Sequence, residues 1–274
     1  MPLSLVEVPY MAGDDRHPAS AGPARLRDAA LAHGIAAAVE RVDRDAPFRD
    51  TASAAAVVNE RLAAVVRRLI DEGRLPLVLA GSCNAALGVV AALDAARCGA
   101  VWIDAHADFN TPETTVSGYF PGMSAAVVTG ACFRGYWRAT PLPEDKLVLL
   151  GVRDVSPAAE RERLERSAVR VVEWRDGKPH GEPLALLDAL AEATDDVYLH
   201  IDFDAFAPDV APATVDEPVP GGLSLADAET VVTATIERFR IRAATLATYT
   251  PERDEDDKTL RAGVRLIELI SAVS

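Results

Sequence analysis

Short apolar segments alternate with amphipathic segments along almost the whole chain. Buried strands of a parallel sheet read as apolar runs, whereas helices show apolar residues every three or four positions. The apolar runs predict strands over Leu3–Pro9, Ile35–Val42, Leu75–Ala80, Ala100–Ile103, Lys146–Leu150, Val169–Val172, Asp196–Phe203 and Ala243–Tyr249. The amphipathic runs predict helices over Ala21–His33, Ser53–Glu72, Ala85–Ala96, Pro157–Ser167, Leu184–Ala193, Leu225–Phe239 and Lys258–Ala272. This alternation predicts three α/β/α layers around a mostly parallel sheet of roughly eight strands.

The connections between these elements are short, except for residues 111–121 and 207–223. Neither long connection has the composition of a flexible linker. With 274 residues, of which 49% are hydrophobic, the chain can bury a sizeable core. We therefore predict one domain over residues 1–274.

Charge and cysteine content restrict the partners and the compartment. The net charge of -14 argues against nucleic acid and against an anionic membrane surface as partners. Three cysteines are an odd count, which does not favour a disulfide framework. The first residues lack the basic region of a signal peptide, and no uncharged apolar run reaches the roughly 20 residues of a membrane span. We expect a cytoplasmic protein.

Candidate metal ligands follow the strand predicted at Ala100–Ile103. Asp104, His106 and Asp108 occur at alternate positions directly after it. Side chains at alternate positions of an extended chain point to the same side. Two carboxylates and one imidazole are therefore expected to converge at the end of this strand.

A second acidic pair ends the strand predicted at Asp196–Phe203, where Asp202 and Asp204 are also two residues apart. The carboxyl ends of parallel strands meet at one edge of the sheet, so both acidic segments should lie together. Carboxylate oxygens and imidazole are suitable ligands for hard divalent cations. The two segments predict a centre for such cations, with two ions expected.

Four segments together resemble the ureohydrolase family of arginase, agmatinase and formimidoylglutamase. In chain order they are Ala80-Gly-Ser-Cys83-Asn84, Asp104-Ala-His106-Ala-Asp108, Asp202-Phe-Asp204-Ala-Phe-Ala207-Pro208 and Thr248-Tyr-Thr-Pro251. The second segment matches the family pattern most closely, while the first and last depart from it. The resemblance implies an arginase-like fold and the hydrolysis of a linear carbon–nitrogen bond in a guanidino or amidine compound.

The resemblance also implies two Mn ions held by six side chains. Asp104 and Asp202 would bridge the two ions. Cys83 and Asp108 would complete the shell of one ion, and His106 and Asp204 the shell of the other. A hydroxide between the ions would attack the substrate carbon, with Asp204 and His106 as the catalytic side chains. Two cations would lower the pKa of the shared water and stabilise the charge that develops in the reaction.

Substrate contacts are implied at four positions. Asn110 and Ser117 match positions that hold the amino-acid end of the substrate in arginase, and Tyr119 replaces an asparagine there. Asn110 is equally compatible with a turn, and Ser117 with a loop hydroxyl; Tyr119 could instead narrow the pocket or pack beneath the loop. Thr248 replaces the glutamate that holds the guanidinium in the family, and a neutral hydroxyl cannot form its charge-assisted, two-point contact. Glu217, Glu252 and Asp254 are the acidic residues on nearby loops that could substitute for it.

Two further positions depart from the family pattern. Cys83 replaces a histidine ligand. As a ligand its thiolate would shift the preference from Mn toward Zn, Fe or Co; alternatively, Cys83 is a small buried residue that fills space. Pro121 replaces a histidine regarded as a proton shuttle, and proline cannot titrate.

The nearest resemblance is to the Nω-hydroxy-L-arginine amidinohydrolase branch, which also has cysteine at the position of Cys83. That branch shares the string Asp108-Phe-Asn110-Thr-Pro-Glu113-Thr-Thr and a histidine matching His200, two residues before Asp202. His200 could hydrogen-bond a ligand carboxylate or could be an ordinary core histidine. The implied reaction cleaves Nω-hydroxy-L-arginine to ornithine and hydroxyurea.

Nω-hydroxy-L-arginine is therefore the preferred substrate, with arginine next. The alternatives are another amidine such as agmatine or formimidoylglutamate, or a catalytically impaired protein that binds metal or ligand in a non-enzymatic role. The resemblance also suggests a homo-oligomer, because the family often forms trimers or hexamers.

Overall fold

A computed structural model describes residues 1–45, 47 and 50–272 of the chain. Within these residues nine strands form one sheet, in the order β2-β1-β3-β9-β8-β4-β5-β6-β7. The strands are β1 (Leu3–Val8), β2 (Ala38–Arg41), β3 (Leu75–Ala80), β4 (Cys98–Ile103), β5 (Leu147–Val152), β6 (Arg170–Arg175), β7 (Lys178–His180), β8 (Asp196–Asp202) and β9 (Arg240–Ala247). All neighbouring strands are parallel except β6 and β7, which form an antiparallel hairpin.

Helices cover both faces of this sheet, so the predicted three-layer α/β/α fold is confirmed. The helices are α1 (Gly22–Ala32), α2 (Thr51–Asp71), α3 (Ala85–Ala92), α4 (Ser124–Val128), α5 (Ala158–Arg166), α6 (Pro183–Ala191), α7 (Leu225–Arg238) and α8 (Lys258–Ser271). Helices α1, α8, α7 and α6 pack in series against one face, whereas α2, α3 and α4 pack together on the other. The prediction of roughly eight strands omitted β7, and the predicted helices omitted α4.

Both omissions involve elements that are too short for a periodic signal. Strand β7 has three exposed residues, one of them a proline. Its hairpin turn, Asp176-Gly177, has positive φ angles of 50° and 72°. Asp-Gly is a typical sequence for such a turn, so the hairpin had a readable signal. Helix α4 has five residues, all of them buried, and therefore no polar face.

The two faces of the sheet contribute to two hydrophobic clusters. In β4, Val101 and Ile103 belong to the cluster beneath α1, α6, α7 and α8, whereas Trp102 belongs to the cluster beneath α2, α3 and α4. In β8, Leu199 and Ile201 share the first cluster, while Tyr198 shares the second. The even-numbered residues of β4 and β8 therefore share one face.

Strands β1, β3, β4 and β5 are buried along their full length, as expected for strands covered on both sides. Among the described residues, no helix has the length and apolar character that crossing a membrane requires. That residues 1–274 form a single domain stays a prediction.

Candidate metal centre

The candidate ligands lie at the carboxyl edge of four adjacent strands, β3, β9, β8 and β4. Cys83 follows β3, Asp104 follows β4, Asp202 ends β8 and Thr248 follows β9. Parallel strands place all these chain segments at one edge of the sheet, where α/β proteins form their sites. The topology therefore brings together residues that are separated by more than a hundred positions in the sequence.

One group of candidate ligands consists of Asp104, His106 and Asp204. The Nδ1 atom of His106 lies 3.0 Å from Oδ2 of Asp204 and 3.4 Å from Oδ1 of Asp104. One potential ligand atom from each side chain lies within 4.8 Å of the others, a spacing that a single cation could bridge. The alternate spacing after β4 predicts that Asp104 and His106 converge, whereas Asp204 follows the end of β8 and takes the place expected for Asp108 in this group.

A second group lies beside the first and shares Asp104 with it. Cys83, Asp104 and His200 each offer a potential ligand atom within 4.8 Å of the others. The Cys83 thiol also donates to Oδ2 of Asp202 at 2.8 Å. Burial and the Asp202 charge raise the pKa of this thiol well above its usual range. A carboxylate shared by two ligand groups can bridge two neighbouring cations.

Backbone and side-chain donors fix these carboxylates. Trp102 Nε1 donates to Oδ2 of Asp104 at 3.0 Å, and the His106 amide donates to Oδ1 at 2.7 Å. The Ala105 amide donates to Oδ1 of Asp204 at 3.1 Å, and the Asp204 amide donates to Oδ1 of Asp202 at 2.8 Å. Such contacts orient ligands before a metal arrives.

The negative charge of this cluster is only partly compensated by the protein. Burial raises the pKa of Asp104 to about 6, and the Asp204 charge contributes to the rise. Burial likewise raises the pKa values of Asp108 and Asp202 well above their usual range. For Asp204, burial is outweighed by His106, so its pKa is lowered. For His106, burial is outweighed by Asp204, so its pKa is raised well above the usual value.

Asp108 provides the clearest evidence that the site fits a cation. Its Oδ2 atom is buried and has no hydrogen-bond partner among the described residues. Its backbone is left-handed, with φ of 49°, which is uncommon outside glycine. A buried carboxylate oxygen without a partner is costly, and a divalent cation would compensate it. The donor set of carboxylates, imidazole and thiolate therefore fits divalent metal ions.

Comparison with known proteins agrees with this geometry. A model of the arginase family matches residues 2–272. The chain belongs to the arginase family. Arginase from Bacillus caldovelox is 29% identical over 97% of this chain and 96% of its own. The N(omega)-hydroxy-L-arginine amidinohydrolase of Streptomyces lavendulae is 37% identical over 56% of this chain and 53% of its own. The crystal structure of arginase from Bacillus subtilis superposes with a TM-score of 0.83 at 27% identity, covering 99% of this chain and 98% of that one.

In this arginase-family chain a cleft opens above the carboxylates. Five predicted ligands line it, namely Cys83, His106, Asp108, Asp202 and Asp204, while Asp104 lies beneath them at 1% exposure. The four predicted substrate contacts, Asn110, Ser117, Tyr119 and Thr248, also line the cleft. The structure therefore brings together the six predicted metal ligands and the four predicted substrate contacts.

The side chains of three substrate-contact candidates, Asn110, Ser117 and Thr248, already have partners within the protein. Asn110 Nδ2 donates to the Ser156 carbonyl at 3.0 Å, and Ser117 Oγ accepts from the Tyr119 amide at 3.2 Å. The Thr248 hydroxyl donates to Oδ1 of Asp202, and the Thr248 backbone has a φ of 75°. Thr248 is thus directed at a candidate metal ligand.

Three acidic residues that the sequence reading missed also line the cleft: Asp154, Glu160 and Asp216. Glu160 is buried and accepts from the amides of Phe109 at 2.9 Å and Ser156 at 3.1 Å. Burial raises the pKa of Glu160 to about 7. Its position in the first turn of a charged helix resembles a surface residue, so the sequence held no signal for this role.

The acidic residues proposed to replace the family's glutamate do not line the cleft. Asp254 instead accepts from the amides of Thr259 and Leu260 at the start of α8, at 3.1 and 2.9 Å. Glu217 and Glu252 are absent from the cleft lining as well. Asp216, next to Glu217, is the acidic residue of that loop that reaches the cleft.

Arg153 holds the backbone around the ligand turn. Its guanidinium donates to the carbonyls of Asp204, Ala205 and Phe206, at distances between 2.6 and 3.2 Å. It also donates to the Val219 carbonyl at 3.0 Å, which ties the long loop after β8 to the same turn. A planar guanidinium with five N–H groups suits this role, and lysine could not replace it.

We expect Arg153→Met to lower the free energy of unfolding of the metal-free protein by about 2–4 kcal/mol, because it leaves several carbonyls without a donor. Arg161→Met is the matched control. Arg161 forms a partly exposed ion pair with Glu173, and its loss should cost about 1 kcal/mol or less. Urea denaturation measures both values, and equal losses would contradict the role of Arg153.

Proposed function

We propose that this chain is a metal-dependent hydrolase that cleaves a linear carbon–nitrogen bond of a small guanidino compound. The observation that carries this proposal is the pair of ligand groups sharing Asp104 at the floor of an acidic cleft. Membership of the arginase family supports the same reaction class.

Six side chains would hold the metal ions: Cys83, Asp104, His106, Asp108, Asp202 and Asp204. Mn is the proposed metal, with Zn, Fe or Co favoured to the extent that the Cys83 thiolate takes part. When bound, the ions lower the pKa of a water molecule and stabilise the negative charge that develops on hydrolysis. The metal-activated nucleophile and its position between two ions stay predictions.

Asp204 and His106 are the proposed catalytic side chains. The Ala105 amide holds one Asp204 oxygen, and the other lies 3.0 Å from His106 Nδ1 at the cleft wall. That second oxygen can orient the attacking water and hold its proton. Pro121 lines the same cleft and has no proton to give, so transfer to the leaving amine falls to the carboxylates or to solvent.

The acidic lining supports a substrate that carries an ammonium group. Asp154, Glu160 and Asp216 surround the cleft beyond the ligand cluster. Carboxylates in the lining of the cleft can attract the charged α-amino end of an amino acid. Asn110, Ser117 and Tyr119 are the proposed polar contacts for the same end of the substrate.

The environment of Thr248 supports Nω-hydroxy-L-arginine over arginine. Threonine has no carboxylate to pair with a guanidinium, and the Thr248 hydroxyl already donates to Asp202. An N-hydroxyguanidine is less basic than a guanidine and needs less negative charge to bind. The similarity to the Streptomyces lavendulae amidinohydrolase supports the same choice. Water would add and the bond to the side-chain nitrogen would break, giving ornithine and hydroxyurea. The homo-oligomer and the cytoplasmic location stay predictions.

Asp202→Asn should abolish both metal binding and hydrolysis, because it replaces a buried carboxylate of the candidate ligand cluster with a neutral amide. Asp209→Asn, on the exposed part of the following loop, is the matched control and should change neither property. Isothermal titration with Mn²⁺ and ornithine release measure the two effects. Hydrolysis that survives Asp202→Asn would refute the proposed site.

Substrate choice is tested by comparing kcat/KM for Nω-hydroxy-L-arginine, arginine, agmatine and formimidoylglutamate. We expect Nω-hydroxy-L-arginine to exceed each of the others by at least about tenfold, equivalent to about 1.4 kcal/mol of transition-state stabilisation. Equal values for arginine would contradict the account of Thr248. Tight metal binding without turnover of any of these compounds would instead favour the non-enzymatic alternative.

A further inference from the structure

His200 lies within β8, two residues before Asp202, and its side chain is fully buried. In the sheet it pairs with Trp102 of β4. The two rings stack with centroids 3.8 Å apart. Because Trp102 Nε1 donates to Asp104, both rings form the floor beneath the metal centre.

A hydrogen-bonded chain occupies Nδ1 of the His200 ring. The Tyr198 hydroxyl donates its one proton to Thr245 Oγ1 at 2.8 Å. The same hydroxyl oxygen lies 2.8 Å from Nδ1 of His200. When Tyr198 donates to Thr245, it accepts from Nδ1, which then carries the ring proton; metal binding at Nε2 requires this order of donors. The Nε2 atom is then left with a lone pair.

That Nε2 atom is buried and has no hydrogen-bond partner among the described residues. Leaving a buried polar atom unsatisfied costs about 1–3 kcal/mol, and native proteins rarely do so without a reason. A ring nitrogen of His200 lies within 4.8 Å of ligand atoms of both Cys83 and Asp104. With Nδ1 engaged by Tyr198, Nε2 is the nitrogen free to bind.

We infer that His200 is a metal ligand, binding through Nε2 together with Cys83 and Asp104. This inference rests on the proposed metal-dependent hydrolase and adds to it a seventh metal-binding side chain. Each ion would then receive one imidazole, from His106 in one group and from His200 in the other. Position 83, where the family pattern has histidine, would supply a thiolate, and the imidazole would come from His200 in β8.

The two metal positions are therefore chemically unequal. The position beside Cys83 combines thiolate, imidazole and carboxylate, a set that suits Zn or Co better than Mn. The position beside His106 and Asp204 has imidazole and carboxylates alone. The Tyr198–Thr245 chain acts as a support that holds the His200 ring in the tautomer required for binding.

The test is zinc X-ray absorption spectroscopy of the full chain loaded with two equivalents of Zn²⁺. We expect two imidazoles and one sulfur per pair of zinc ions. His200→Phe, which preserves a stacked ring against Trp102, should leave one imidazole, and His106→Phe is the matched variant that should also leave one. The Zn²⁺ affinity of His200→Phe should fall by more than the roughly 10–100-fold typical of a lost supporting contact.

Tyr198→Phe is a second variant that retains the imidazole but removes its partner. Its zinc spectrum should still show two imidazoles, while its Zn²⁺ affinity should fall by about 10–100-fold. One imidazole per zinc pair in the unmodified protein, unchanged in His200→Phe, would overturn the role of His200 and leave the proposed hydrolase intact. Failure of the unmodified protein to bind zinc or manganese would overturn both.

Discussion

The burial of four carboxylates at two adjacent strand ends is the constraint on which this site depends. Asp104, Asp108, Asp202 and Asp204 are all buried, and they lie close enough to raise one another's cost of ionisation. Moving several negative charges out of water is expensive unless cations or donors compensate them. The contacts around the four carboxylates reduce that free-energy cost.

Part of the compensation is built into the protein. Backbone amides and the Trp102 indole bind the carboxylate oxygens, and Arg153 ties together the carbonyls of the turn that carries Asp204. The Asp108 oxygen and His200 Nε2 remain without protein partners among the described residues. Metal ions bound at this site would give both atoms a partner.

Fold and ligand cluster were largely predictable because both depend on short-range patterns. Apolar strands define the sheet, and the alternate spacing after β4 and β8 places acidic side chains at one edge. The roles of Glu160, Arg153 and His200 depend instead on contacts between segments that are distant in sequence. Glu160 resembles a helix surface residue, and Arg153 acts through backbone carbonyls. The unsatisfied nitrogen of His200 is visible only once Tyr198 and Thr245 are in place.

The positions where the chain departs from its family now have a physical context. Cys83 donates to Asp202 and lies beside His200, so a thiolate and an imidazole could serve one ion. The Thr248 hydroxyl donates a hydrogen bond to Asp202, so the Thr248 side chain points toward the candidate metal ligands. Under the proposed function, these departures would change which metal the site prefers and how much positive charge the substrate carries, while the carboxylate Asp104 is retained.

The most direct test of the central claim is electron paramagnetic resonance of the protein loaded with Mn²⁺. If two ions share Asp104, the spectrum should show an exchange-coupled manganese pair at two equivalents per chain. A spectrum of isolated Mn²⁺ at every loading, or only free Mn²⁺ in solution, would contradict a dinuclear centre.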